Sequence, residues 1–195
     1  MVRKILTQKF FTRPTLQVAP GLLGKFLVRK IGQKEVAAMI TEVEAYDGPH
    51  DKASHASRGL TERNAIMFGA GGYFYVYLCY GMYEMLNIVT GQKDYPSAIL
   101  LRGGIIKSPL KRGVAEGRGV LNLNLNGPGK LTKFLKVDRR FNKKLAAKKT
   151  GLWFEDRGVK IAEKMIKRTP RIGVAYAGPI WSKKRYRFLL TNTPK

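Results

Sequence analysis

The chain has 195 residues, 44% of them hydrophobic, which is enough for one domain with a full-sized core and argues against disorder. Its 37 Lys and Arg against 13 Asp and Glu give a net charge of +24, far beyond what solubility requires, so a polyanionic partner is expected. One cysteine, Cys79, permits no internal disulfide, and no apolar run approaches the roughly 20 residues that span a bilayer. No membrane association and no secretory signal are read.

In chain order, residues 15–24 suit a short helix whose limits are blurred by Pro20 and Gly21. Strands are expected at 25–31 and 36–46, separated by a turn at 32–34. The polar segment 47–57 opens with Asp-Gly-Pro and reads as a loop carrying His55 away from the sheet; a helical turn follows at 62–68. The glycine run 69–72 turns the chain into a strand at 73–79. Tyr80-Gly81-Met82 then reverses it into a second strand at 83–89. A strand at 97–102, helices at 129–136 and 142–149, and strands at 158–162, 171–175 and 185–190 complete the expected elements. The fold class is therefore α+β: one mixed domain over residues 1–195, with a largely antiparallel sheet and flanking helices.

Charge is unevenly spread. Residues 1–95 hold 12 basic and 8 acidic side chains, and residues 96–195 hold 25 and 5. The acidic minority includes Thr41-Glu42-Val43-Glu44-Ala45-Tyr46, in which strand period places Glu42, Glu44 and Tyr46 on one face. Periodicity does not say which carboxylate works. With His55 and the tyrosines at 73–83 close by, this combination suits chemistry on a nucleobase: cations for phosphates, aromatic faces for a planar ring, a carboxylate for water or for positive charge on a sugar. Tyr80 differs from the strand tyrosines because Gly81 leaves its ring at a hairpin tip, where an exposed aromatic can wedge into a base stack.

Other motifs carry less. Asp47, His50, Asp51 and His55 lack a metal-ligand spacing, and Cys79 lies in an apolar, aromatic context that suits core packing better than a thiolate. The glycines at 69–72 and in Gly127-Pro128-Gly129-Lys130 lack P-loop spacing and read as turns; Lys130, near a helix N-terminus, is a candidate phosphate contact.

Taken together, Thr41 to Tyr46, Gly48-Pro49, His55, Arg63-Asn64, Met67-Phe68, Tyr75-Val76-Tyr77, Tyr80-Gly81-Met82-Tyr83, Asn87 and Leu100-Leu101-Arg102 closely resemble the alkyladenine, or 3-methyladenine, DNA glycosylase family. The similarity continues more loosely through Gly127 to Leu131 and Arg171-Ile172-Gly173-Val174. The pattern departs at Glu62, where proline is common, and at Gly103-Gly104, where Ala-Leu-Glu is more usual.

The resemblance implies a curved antiparallel sheet with a protruding hairpin that enters DNA, acting on damaged purines without cofactor or metal. By position, Glu44 resembles the catalytic carboxylate, with Arg102 and the Ile172 main-chain carbonyl helping to hold a water and Glu42 in support. Tyr46 and His55 resemble one wall of a base pocket and Tyr77 the facing wall, while Asn87 resembles the side chain that crowds out undamaged guanine. Tyr80 resembles the intercalating residue, and Arg63, Met82, Tyr83 and Lys130 are further expected DNA contacts. Damaged double-stranded DNA is the implied partner, with a monomer, no obligate protein partner, and a cytoplasmic, nucleoid-associated place in a bacterium or a nuclear or organellar one in a eukaryote. The competing reading is a non-catalytic basic nucleic-acid-binding protein. A Schiff-base lyase is a third, since lysines abound. Salt-sensitive binding is expected in each case.

Overall fold

The computed structural model describes residues 3–109 and 120–192. In chain order the elements are β1 (Lys4–Ile5), α1 (Gln8–Phe11), α2 (Thr15–Leu22), β2 (Phe26–Ile31), β3 (Lys34–Asp47), β4 (Phe74–Cys79), β5 (Tyr83–Val89), β6 (Ser97–Pro109) and β7 (Val120–Asn126). They continue with α3 (Pro128–Leu135), β8 (Leu152–Asp156), β9 (Ile166–Thr169), α4 (Gly178–Trp181) and β10 (Arg187–Leu190). This is a mixed α+β domain.

The strands form one antiparallel sheet in the order β1-β8-β2-β3-β6-β5-β4, with β7 added on β6 and β10 bridging β3 to β9. Strand β3 organises it. Its first half pairs with β2, its second half with β10, and its other edge with β6 along most of its length. Such a long strand, with neighbours on both edges, explains the near-continuous apolar run Val36 to Ile40. The register of β3 on β6 slips at Thr41 and again at Arg102. Bulges of this kind re-aim side chains, and these two bring Arg102 to the Glu42 and Glu44 face. Gly103 fits the same spot: a Cβ there would lie 3.2 Å from the Glu42 Cβ and 3.3 Å from Thr41 Oγ1.

Helix α3 opens with Pro128 in its first turn and stops where Lys136 takes a left-handed conformation. Its Leu131 and Leu135, four residues apart, enter the main core with Phe74, Leu86, Ile88, Leu101 and Phe154. Thr132 Oγ1 donates to the Glu84 carbonyl at 2.9 Å, tying the helix to the start of β5. Helix α2 runs through Pro20, which sits in its last turns, so the helix ends at Leu22 rather than at the proline.

Three expected elements are absent. Residues 142–149 are not a helix: the Lys143 N–H donates to Phe74 O, Lys144 O accepts from Phe74 N–H, and Leu145 bridges Tyr73. The segment meets the edge of β4, whose backbone donors and acceptors outweigh the local helical pattern. Segment 158–162 is irregular because the strand lies earlier, in β8, where Glu155 is buried and bonded to Trp153 Nε1 and Arg157. Segment 171–175 is a turn containing Gly173 at φ 74°; Arg171 points into the core rather than along a sheet edge. Nor does the 47–57 loop carry His55 away: it folds back so that His55 reaches the β4 tyrosines. No helix among the described residues is long and apolar enough to cross a membrane.

Candidate active site

Glu44 lies in the second half of β3 with its side chain fully buried. The Ile172 N–H donates to Oε1 at 2.8 Å, the Tyr46 hydroxyl donates to Oε2 at 3.0 Å, and Arg102 Nε stands 3.5 Å from Oε1. Burial nevertheless dominates and pushes the Glu44 carboxyl above the usual carboxylate range, against the pull of Arg102, the Ile172 amide and Tyr46. Tyr46, itself buried beside Glu44 and Tyr77, is pushed well above the usual phenol range and so stays a donor.

Glu42, on the same face, is held differently. Its Oε1 accepts from Arg102 Nε at 2.8 Å and from Arg187 Nε at 2.7 Å, so two guanidiniums meet at one carboxylate. The two carboxylates that strand period could not distinguish therefore separate clearly: one is tied up in ion pairs, the other is enclosed with few charges around it.

Beside Tyr46 opens a cleft lined by Tyr46, Ala53, His55, Met67, Tyr75, Tyr77, Asn87, Ala98 and Tyr176. Tyr75 and Tyr77 share a face of β4, as alternation requires, with ring centroids 5.1 Å apart. Tyr75 lines the cleft as well, and its hydroxyl lies 2.9 Å from His55 Nδ1. The His55 ring meets Tyr77 edge to face, with centroids 4.8 Å apart. Burial, helped by the Arg63 charge, pushes the imidazole down to about 4, which leaves it neutral at physiological pH. Exposed Arg63 places its guanidinium 4.9 Å from the Tyr77 ring centroid. Asn64 fixes the His55 loop by donating to the His55 and Gly59 carbonyls.

Asn87 is buried in β5. Its Nδ2 donates to the Tyr75 and Met85 carbonyls at 3.1 and 3.2 Å, contacts that fix which end of the amide is the oxygen. At the far end of the β4–β5 hairpin the Met82 N–H closes a turn on Cys79 O across Tyr80 and Gly81, at φ 51° and 70°. Both central residues being left-handed matches the twist of the flanking strands, but a tyrosine in that region is unusual. Tyr80 is 88% exposed and Met82 69%. Tyr83 packs on the start of α3, where a Cβ on Gly129 would lie 2.6 Å from its ring; Lys130 is exposed on the next residue.

Several residues here lacked a usable signal in the sequence. Arg187 comes from β10, and Asp51 and Arg171 form a buried bidentate pair behind Tyr46. Tyr176 lines the cleft and donates to the Ala53 carbonyl at 2.9 Å. Arg171 directly precedes Ile172 in the chain, and Tyr176 lies four residues beyond it. The basic second half of the chain does reach the acidic motif, through Arg102, Arg171 and Arg187.

With this geometry in place, the match to a family model for methylpurine-DNA glycosylase over residues 9–194 decides the affiliation. The chain belongs to the methylpurine-DNA glycosylase family. Its relatives include proteins named "Putative 3-methyladenine DNA glycosylase" from Methanocella arvoryzae, 42% identical over 97% of this chain and 94% of that protein, and from Psychrobacter cryohalolentis, 40% identical over 91% and 88%. One of the same name from Legionella pneumophila strain Paris is 38% identical over 99% and 97%. Membership assigns the chain to the DNA glycosylases, repair hydrolases whose substrate is DNA.

Proposed function

We propose that this protein hydrolyses the N-glycosidic bond of damaged purines in duplex DNA, with Glu44 as the group that activates water, and releases free base to leave an abasic site. The observation that carries this reading is the meeting of a fully buried carboxylate with an aromatic cleft through one shared residue, Tyr46. A base inside a duplex is out of reach, so the nucleotide rotates out at a cost of a few kcal/mol that is smallest for damaged or mispaired bases. Tyr80, exposed on a preset turn, occupies the vacated stack. Arg63, Met82, Tyr83 and Lys130 lie on the DNA side of the same surface and hold the backbone.

The extruded base enters the cleft lined by Tyr46, His55 and Tyr77, where aromatic faces favour electron-poor or cationic rings such as alkylated purines; stacking between Tyr77 and the His55 side requires their edge-to-face contact, 4.8 Å between centroids, to open. Hypoxanthine and ethenoadenine belong to the same substrate class as neutral members, which must take up a proton on a ring nitrogen to leave as the free base. Asn87, its amide locked by two carbonyls, stands rigidly in the cleft and excludes a purine that carries an extra amino group there. Departure of the base leaves oxocarbenium character on the sugar. Ionised Glu44, held by the Ile172 N–H, stabilises that charge and accepts the proton of the incoming water, while Arg102 and the Ile172 main-chain carbonyl hold the water. The reaction is hydrolytic and monofunctional, with no lysine adduct, and it requires no cofactor.

Single-turnover release of hypoxanthine or 3-methyladenine from a duplex tests the assignment. Glu44→Gln is expected to lower the rate by about 10²–10⁴. A near-normal rate in that variant would remove Glu44 from the chemistry, and borohydride trapping of a covalent DNA adduct would replace hydrolysis by a lyase reaction.

A further inference from the structure

Behind Tyr46 sits a side-chain cluster that the mechanism above does not use. Arg171 and Asp51 both have fully buried side chains and form a two-pronged ion pair, with Arg171 Nη2 2.8 Å from Asp51 Oδ1 and Nη1 on Oδ2. Asp51 also accepts from the Asp47 and Ala53 N–H groups, at 3.2 and 3.1 Å, so the pair is anchored in its own loop. Arg171 Nη1 donates in addition to the Ala45 carbonyl at 2.8 Å, and the guanidinium carbon stands 4.8 Å from the Tyr46 ring centroid and 5.3 Å from that of Tyr186.

These contacts fall on the two backbones that meet at Glu44. The Ala45 carbonyl follows Glu44 along β3, and Ile172, whose N–H holds Glu44 Oε1, follows Arg171. The 171–175 turn has no strand ladder to fix it against β3. Arg171 is the tie instead. A buried ion pair is a weak source of stability, the more so here because Arg171 Nε is buried without a partner, so the cluster is better explained by the geometry it imposes.

We propose that Arg171, clamped by Asp51, is a positioning residue for Glu44: it fixes the Ile172 amide against β3 and braces the Tyr46 ring, and thereby holds the carboxylate in its working orientation. The inference rests on the reading of Glu44 as the reacting group. The charged and titratable groups facing Glu44 are Arg102 from β6, Glu42 and Tyr46 from β3, Arg171 with the Ile172 amide from the 171–175 turn, and Tyr176 just beyond it; Arg187, opposite it on β10, is engaged by Glu42. Of these, the Ile172 amide favours the ionised carboxylate and depends on Arg171 for its place.

The test compares the full-length protein with Arg171→Lys and with the double variant Arg171→Met, Asp51→Leu, which removes both buried charges together. Melting curves establish the fold. Single-turnover excision of hypoxanthine from a duplex is then measured across pH, alongside affinity for the same duplex. The expected result is a folded double variant with unchanged DNA affinity and a rate about 100-fold lower, the scale of a misplacement of about 1 Å at a reacting group. The acid limb of its rate profile should move to higher pH, because the carboxylate has lost a donor to its ionised form. A purely structural pair predicts instead that recovery of stability restores both rate and limb, and that result would overturn the proposal. Wild-type kinetics in Arg171→Lys would do the same, as would loss of fold in both variants. Failure of the underlying reading is distinct, since it appears as a normal rate in Glu44→Gln whatever happens at Arg171.

Discussion

Replacing Glu44 by Gln should make the folded protein more stable near neutral pH at the same time as it slows excision by about 10²–10⁴. Burial raises the Glu44 carboxyl above its ordinary 4.5 in spite of the Ile172 N–H at 2.8 Å, the Tyr46 hydroxyl at 3.0 Å and Arg102 at 3.5 Å. The native state therefore favours the protonated form more than the unfolded chain does. Its contribution to stability is complete below the unfolded value and is lost as pH rises through the folded one, so at neutral pH the ionised carboxylate strains the fold. Each unit of the shift corresponds to about 1.4 kcal/mol.

Gln removes that cost and keeps an oxygen for the Ile172 N–H. Against this, Tyr46 must turn from donating to a carboxylate to accepting from an amide, a loss of about 1 kcal/mol at most. Whatever net gain remains should raise Tm, by roughly 2–4 °C per kcal/mol for a chain of this size. Melting wild type and Glu44→Gln in matched buffers near about pH 7.5 and about pH 4 checks both sign and window. His55 weakens the fold as pH falls from 6.5 toward about 4, but it does so in both proteins and cancels in the difference. A variant that melts lower than wild type at neutral pH, or a gain that persists unchanged at the acid end, would refute the argument that burial dominates at Glu44.

Tyr80, exposed and left-handed, should be replaceable by Gly with a gain of about 1 kcal/mol in stability, while excision from duplex DNA falls because nothing fills the stack; chemical denaturation and single-turnover rates read the two effects. Asn87→Ala leaves the Tyr75 and Met85 carbonyls without their side-chain donor and should cost about 1–3 kcal/mol in urea unfolding, with increased release of undamaged guanine as the functional signature. The His55 imidazole should show no titration by NMR between about pH 5.5 and pH 8. A midpoint near 6.5 would mean that the ring is far more solvated than its position against Tyr75 and Tyr77 implies.

What the sequence revealed of the fold follows the range of the interactions that decide it. Strands β2 to β5 announce themselves by apolar, β-branched and aromatic runs bounded by glycine turns, and the Tyr80-Gly81 reversal lies within a few residues of both strands it joins. Residues 142–149 have a locally helical periodicity, whereas their backbone groups are claimed by β4, about 70 residues earlier in the chain, an edge that no local window contains. In β8, Glu155 and Asp156 disguise a strand as a polar loop, because the Trp153 indole, Arg157 and Lys25 that satisfy them are visible only after folding.

The site divides in the same way. That Glu42, Glu44 and Tyr46 share a face is a property of β3 alone, so it was legible; which carboxylate is left to react is not a property of β3. Glu42 is taken by Arg187, 145 residues away, and by Arg102, brought in through a bulge, while Glu44 is covered by an amide 128 residues away. Identical side chains two positions apart thus acquire different chemistry from partners that arrive from opposite sides of the strand. If Arg187 determines this division, removing it should leave Glu42 to Arg102 alone, tightening that pair and leaving the Glu42 charge less compensated beside Glu44, so that Glu44 ionises at higher pH. An Arg187→Met variant whose excision profile keeps its acid limb in place would show that the difference between the two carboxylates rests on the burial of Glu44 alone.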